Sequence, residues 1–348
     1  MHDPVPDEPL GMVLVMGVTG SGKSYFINKL SEGSVKEGPG LESGMHYVQN
    51  FVGILRLTRK ETQRPQIVTA ILEDESGYDT EIAIVDTPGF DDSKRSDADI
   101  LAEISQFLTA QYIWGEFELR GIIYLHRITD PKMTGSAGRY FRMFQDLCGE
   151  EAFKNVILVT TMWDQLKDES VGYRRDQELR NNFWNLMEEK GSQITTFDGS
   201  HEQAEGLVLQ LLGKPPITLQ LQRELVDDDQ VLENTSAGRL VAAHLDATIR
   251  DSERQLNRIG HPSFTGRGQG NEAHWSRRRQ AEAEVHSHRQ KRGKLKTRVG
   301  RETKRKADAI AKPPKERTTG KEKISLFASF LGLTVNLVFA ILPLAGAY

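Results

Sequence analysis

The sequence predicts an α/β fold: a mostly parallel sheet with helices on both faces over residues 10–215, followed by an α-helical extension. Three observations carry this. Short apolar runs alternate with helix-like segments, as in a doubly wound sheet. The runs are continuous rather than alternating in polarity, as strands buried on both faces are. Near Ile217 the chain turns abruptly into charged sequence with apolar residues at helical spacing.

Residues 1–9 are acidic and contain proline, so they read as a disordered N-terminus and not as a secretory signal. Strand-like runs follow at Met12–Gly17, Ile67–Leu72, Thr80–Asp86, Gly121–His126 and Asn155–Thr161. The second and third form a hairpin-like pair turning at Ser76-Gly77, which makes one edge antiparallel. Helical patterns lie between the runs, at 97–113 and 135–149. After Ile217, residues Leu221, Leu225, Leu232, Val241, Leu245, Ile249 and Leu256 recur at helical spacing, giving a helical extension over 216–260. A glycine-rich break leads into a basic linker or coiled coil, 261–324, and an apolar segment, 325–348.

The composition narrows the class. A hydrophobic content of 38% in 348 residues supports a packed core. The formal charge of −4 hides an asymmetry: residues 276–323 hold 18 Lys and Arg against 6 Asp and Glu, about +12, leaving about −16 elsewhere. The single cysteine, Cys148, excludes an intrachain disulfide and fits a reducing compartment.

Gly17-Val18-Thr19-Gly20-Ser21-Gly22-Lys23-Ser24 matches the phosphate-loop pattern, with a strand before it and a helix beginning KSYFINKL after it. Its glycines let backbone N–H groups converge on phosphate oxygens, and the helix N-terminus adds its dipole. Lys23 supplies a cation for the β- and γ-phosphates, Ser24 a hydroxyl for Mg²⁺, and Tyr25 follows at the helix start. In IAIVDTPGF, Asp86 ends a strand where it can hold the Mg²⁺ shell, and the Gly89 N–H can sense a γ-phosphate. In VILVTTMWD, Asp164 follows a strand. One carboxylate there can accept N1–H and N2–H₂ of guanine together, a pattern adenine does not offer. Thr161 stands where GTPases usually carry Asn, and Trp163 replaces the usual Lys, an indole that could stack on a base. The three motifs together point to a P-loop NTPase of the G-domain class, with GTP or GDP and Mg²⁺ as ligands.

The set GVTGSGKSYFINKL, DTPGFDDS, TTMWD and YLHRITDPKMTGSAGRYFRMFQDLCG resembles fungal G-domain proteins related to the immunity-associated (AIG-type) GTPases, kin to the septin-like clan. The resemblance covers about residues 10–215. It implies self-association through the G domain as a homodimer or larger oligomer. It also implies that Arg127, which aligns with an arginine of the family's characteristic box, acts across that dimer to stabilise transition-state charge. An ordinary surface salt bridge is the other reading of Arg127.

Departures from the family pattern bear on turnover. A switch threonine is required between the cradle and DTPG. Setting aside 44–61 leaves GPGLES…TQRPQIV and makes Thr62 that threonine, a Mg²⁺ ligand; without the excision Met45 falls there. The segment 44–61 is therefore read as an insertion in the first switch, such as a retained in-frame intron leaves, or as a genuine long loop. Phe90 stands where Ras-like proteins carry the water-orienting Gln, so intrinsic hydrolysis should be slow. Asp198-Gly199-Ser200 falls where a last base-contacting loop, or a simple turn, would lie.

The basic stretch lacks stacking aromatics, and nucleic acid is not expected as a partner. The uncharged run Leu326–Leu344 approaches the ~20 residues that span a bilayer. Behind a polybasic segment it reads as a tail anchor facing the cytosol, or as an apolar helix that docks on protein. Two functions follow: a self-associating, Mg²⁺-dependent GTPase with slow intrinsic hydrolysis, or a GTP-bound scaffold with little turnover. An ATP-using P-loop protein is disfavoured by TTMWD.

Overall fold

The computed structural model describes residues 9–32, 65–73, 79–90, 95–133, 135–260, 269–309 and 320–335. The turn at Ser76-Gly77, the 44–61 segment and Thr62 lie outside the described residues.

A six-stranded sheet runs β2-β3-β1-β4-β5-β6. Its strands are β1 (Leu10–Gly17), β2 (Gln66–Glu73), β3 (Asp79–Asp86), β4 (Phe117–Arg127), β5 (Val156–Thr161) and β6 (Gln193–Thr196). All pair in parallel except β2, which lies antiparallel on β3 from Gln66↔Asp86 to Glu73↔Asp79. This is a mostly parallel sheet with helices on both faces and one antiparallel edge, as the sequence predicts. β6, which the sequence reading passed over, is short and polar (QITT) and only partly covered.

Successive residues of each strand feed opposite faces, so each face has its own core. Met12, Leu14 and Met16 of β1 join Val85, Tyr124 and Leu158 on one side, while Val13 and Val15 join Ile84, Leu125 and Ile157 on the other. Helix α1 (Lys23–Glu32) and a helix at His201–Leu212 cover the second face through Phe26, Ile27, Val208 and Leu211. Helices α2 (Asp97–Trp114) and α3 (Gly135–Cys148) cover the first. Ser96 caps α2, receiving the Asp99 N–H while the Asp99 carboxylate accepts from the Ser96 N–H. This reciprocal box fixes where the helix begins. Gly115, in the left-handed region at φ 73°, ends it.

The extension closes over α2 and α3. A helix at Ser236–Ile259 pairs antiparallel with one at Gln269–Lys294, through Ser252–His288, Glu253–Arg289 and Asp246–Arg292 contacts. A third, Val299–Asp308, lies against α2 and the 223–227 turn. The described part of the basic stretch, 269–309, is thus mostly helical and folded back on the domain, and its charge is partly neutralised within the molecule. Lys294 pairs with Asp99 at 2.5 Å, Arg292 with Glu233 and Asp246, and Arg298 and Arg301 with Asp229.

The last described helix, Gly320–Val335, contains the first half of the apolar run. Phe327 and Phe330 are buried in the core, packed on Phe107, Trp114 and Phe117 at ring separations of 4.5–5.9 Å. Among the described residues no helix is long and apolar enough to cross a membrane. Of the two readings of the apolar segment, its described part takes the docked one; residues 336–348 lie outside the described residues.

Gly300 shows how tightly the extension is seated. A methyl group there would run into the Leu225 carbonyl and approach Val226 Cα to 3.2 Å. Gly300→Ala should destabilise the protein by about 1–3 kcal/mol, the usual range for overpacking. Gly293→Ala, with nothing within 4 Å, should be neutral or slightly stabilising. Thermal melts of the two variants side by side check this; equal melting temperatures would refute the tight seam.

Candidate functional site

β1 lies between β3 and β4, so the chain leaves it in one direction and returns on the other side. Such a reversal opens a crevice at the carboxyl ends of the strands, where open α/β sheets bind their ligands. Every described residue singled out from the sequence for the site lies on a strand end, loop or helix start at that edge.

The cradle 17–24 leaves β1 there. Gly17, Gly20 and Gly22 have φ of 142°, 77° and 92°, values an L side chain rarely adopts. The loop is braced from three sides. Thr19 N–H donates to the Phe90 carbonyl at 2.8 Å, and Phe90 N–H to the Gly17 carbonyl at 3.2 Å. Thr161 Oγ1 donates to the Ser21 carbonyl at 2.9 Å. Lys23 Nζ donates to the carbonyls of Gly17 and Val18 at 3.2 and 3.0 Å, so its ammonium is held back over the loop.

Electrostatics at Lys23 favour an anion. Burial pushes its pKa from 10.5 down to about 8; Asp86 pulls it back up, and the neighbouring Arg127 charge depresses it further. The Ser21 hydroxyl is buried in the cradle with no hydrogen-bond partner among the described residues.

Ser24 and Asp86, expected to share Mg²⁺, are brought together: Ser24 Oγ donates to Asp86 Oδ2 at 2.8 Å. Thr87 behind them donates through Oγ1 to the Val15 carbonyl at 2.9 Å, tying DTPG to β1. Gly89 passes so close to the cradle that a Cβ would lie 2.5–2.7 Å from Thr19 atoms. Only glycine fits, which keeps its backbone beside the phosphate loop. A hard hydroxyl and carboxylate pair beside a phosphate cradle suits Mg²⁺, which takes one or two protein oxygens and completes its shell with phosphate and water.

Phe90 does not face the cleft. It is fully buried, its ring stacked on Tyr140 at 6.2 Å, and it bridges to Val18. The position that carries a water-orienting Gln in Ras-like proteins is here part of the core.

Thr161 and Asp164 differ in kind. Thr161 is buried, and its hydroxyl serves the Ser21 and His126 carbonyls, so it ties β5 to the cradle. Asp164 is exposed in a short turn, Trp163–Gln165, entered through Met162 in the left-handed region. Trp163 is not available to stack on a base. Its Nε1–H donates to Thr160 Oγ1 at 3.0 Å, and its ring packs on Gly172 and Tyr173.

Tyr25 and the Asp198-Gly199-Ser200 loop form a second flank. Tyr25 is about half exposed beside Phe197, and a side chain at Gly199 would come within 3.2 Å of its hydroxyl. Asp198 accepts the Ser200 N–H at 2.7 Å, the Ser200 side chain and then this N–H hold its pKa down, and Ser200 caps the following helix.

Arg127, at the end of β4, pairs through Nε and Nη2 with Asp130 Oδ2 at 3.1 Å. Its Nη1 lies beside the cradle of its own chain, 3.1 Å from where a Cβ on Gly20 would stand. Spacing gave no sign of that proximity. His126 is a packed strand-end residue against Trp184, and burial lowers its pKa to about 4.

No protein-family model matches the sequence, and no curated protein is significantly similar to it. Among solved structures, Toc33 from Arabidopsis thaliana in complex with Mg²⁺ and GMPPNP is 18% identical, with a TM-score of 0.41, covering 60% of this chain and 88% of that one. A dimerization-deficient mutant of the same Toc33 is 16% identical at TM-score 0.41, covering 60% and 86%. Elongation factor SelB from Methanococcus maripaludis, in complex with the GTP analogue GppNHp, is 16% identical at TM-score 0.36, covering 61% of this chain and 36% of that one.

Proposed function

We propose that this protein binds guanine nucleotide with Mg²⁺ at the carboxyl ends of β1, β3 and β5, and turns GTP over slowly. The observation that carries the reading is the convergence at one switch point of a braced phosphate cradle, the hydrogen-bonded Ser24–Asp86 pair and the Asp164 loop tied back to the cradle through Thr161.

In this reading Gly20, Gly22 and the start of α1 present backbone N–H groups to phosphate oxygens, and Lys23 exchanges two carbonyls for the β- and γ-phosphates. Ser24 and Asp86, with Thr62 from the first switch, would hold Mg²⁺. When bound, the ion neutralises charge developing on the phosphates. Gly89 N–H meets the γ-phosphate, and Asp164 reads the guanine edge while Tyr25 flanks it. Self-association through the sheet domain belongs to the same reading.

A second reading, a GTP-loaded scaffold with little turnover, is favoured by Phe90, whose ring is in the core and cannot orient water. Multiple-turnover phosphate release by purified protein separates the two: sustained release supports the GTPase, release limited to one equivalent the scaffold.

The base assignment has its own test. Asp164→Asn should weaken GDP binding roughly 10–100-fold, as loss of hydrogen bonds to a charged acceptor does, and improve binding of the xanthine analogue. Competition of GDP, XDP and ADP against a fluorescent nucleotide measures it. Unchanged preference in the variant, or a native preference for ADP, would sink the guanine reading.

A further inference from the structure

The loop that reads the base usually brings a cation with it, and here it brings none: Trp163 stands at that position, its indole turned to Thr160 and Gly172. A cation is nevertheless present on the adjacent strand end. Arg127 pairs in register with Thr161, three residues before Asp164, and its guanidinium lies against Gly20 in the cradle.

This arginine is held, not merely near. Asp130 takes Nε and Nη2 and so fixes the guanidinium plane, with Nη1 on the Gly20 side. The 128–130 turn that carries Asp130 is itself pinned. Arg175 Nη1 donates to the carbonyls of Ile128 and Thr129 at 2.9 and 3.0 Å, Ile128 N–H to the Thr161 carbonyl, and Asp130 N–H to the Arg127 carbonyl. A pre-organised guanidinium loses little freedom when it meets phosphate.

We infer that Arg127 acts in cis: it replaces the missing lysine and grips the sugar–phosphate segment of the nucleotide bound by its own chain, between the cradle and Asp164. The cradle itself supports this: Gly20 leaves room for the guanidinium, since a Cβ there would stand only 3.1 Å from Arg127 Nη1.

The proposal rests on nucleotide binding at this site and adds a prediction that a trans-acting arginine does not make. A grip on the part common to both nucleotides strengthens GDP and GTP alike, and does so in a single chain. Arg127→Ala should weaken GDP and a non-hydrolysable GTP analogue equally, about 10–100-fold each, as loss of a charge-assisted contact does. The effect should be the same at nanomolar and at micromolar protein. Arg127→Lys should recover most of the loss, and Asp130→Asn should cost a few-fold by freeing the guanidinium plane.

Fluorescent-nucleotide titrations of the full chain, with melting curves to check folding, read all three variants. Unchanged affinity in Arg127→Ala overturns the inference. So does a defect confined to turnover that grows with protein concentration, which would assign the arginine to a second copy. If Arg127→Ala does not fold, Arg127→Lys and Asp130→Asn decide: native affinity in both overturns it. Native protein titrated with ADP beside GDP separates the two claims. Binding of ADP alone removes the guanine reading while the Arg127 effect is read on ADP; binding of neither removes both.

Discussion

Lys23→Met should lower affinity for GDP and GTP at least a hundredfold while leaving the fold intact. The side chain makes two carbonyl contacts in the cradle, and each charge-assisted bond it would form to phosphate contributes about 1.5–3 kcal/mol, together a factor of roughly 10²–10⁴. Methionine keeps the apolar stem and removes only the charge. The native protein should show a pH signature that the variant lacks. Burial holds the Lys23 pKa near 8, and only the ammonium grips phosphate, so affinity should fall as pH rises through about 8, by up to about tenfold per unit. Stability of the nucleotide-free protein runs the other way. The unfolded chain keeps the proton up to the ordinary 10.5, so between about 8 and 10.5 it binds more protons than the folded chain, and folding stability rises with pH. Titrations from pH 7 to 9 on both proteins check the first; native-like binding by Lys23→Met would mean that the nucleotide sits elsewhere.

Phe327→Ala carries the second large effect. The ring is fully buried and packs edge-on against Phe107 and Phe117 at 5.9 and 5.2 Å, with Phe330 beside it on Trp114. Truncating such a ring costs about 3–5 kcal/mol. The loss should fall first on the seat of the 320–335 helix, which no described covalent crosslink secures. Backbone hydrogen exchange should therefore accelerate over 320–335, Trp114 fluorescence should shift toward that of a wetter indole, and the melting temperature should drop by roughly 5–15 °C. Full protection of 320–335 in the variant would show that the two phenylalanines do not hold this helix.

The parts of the molecule that were legible in the sequence are those written in consecutive residues. The cradle, DTPG and five of the six strands announce themselves because a glycine pattern or an apolar run is a local property. The fold brings Ser24 and Asp86 together as their spacing implied. What stayed hidden depends on direction or on distant partners. QITT is too short and too polar to register as a strand, yet it pairs with β5 because Ile157–Thr160 offer it a free edge. Trp163 could have faced a base or a helix, and Gly172 decides for the helix by leaving space for the ring. Hydropathy records that 326–335 avoids water, and says nothing of whether lipid or the Phe107–Trp114 surface receives it. Arg127 lies 107 positions from Gly20, and only the sheet register and Asp130 bring its guanidinium to the cradle.

Helix α2 has one consequence beyond these sites. Eleven of its eighteen residues are buried, because one side rests on the sheet while the other is roofed by the extension. Gln222 reaches in to donate to the Leu108 carbonyl and Gln111 Oε1, Lys294 grips Asp99, and the 320–335 helix covers Phe107 and Trp114. A chain cut near residue 215, where composition suggests a border, would leave α2 with an apolar back and unanswered polar groups facing water. The smallest piece that keeps its shape therefore runs past that border, and the sheet domain and its helical roof have to be expressed, moved or fused together.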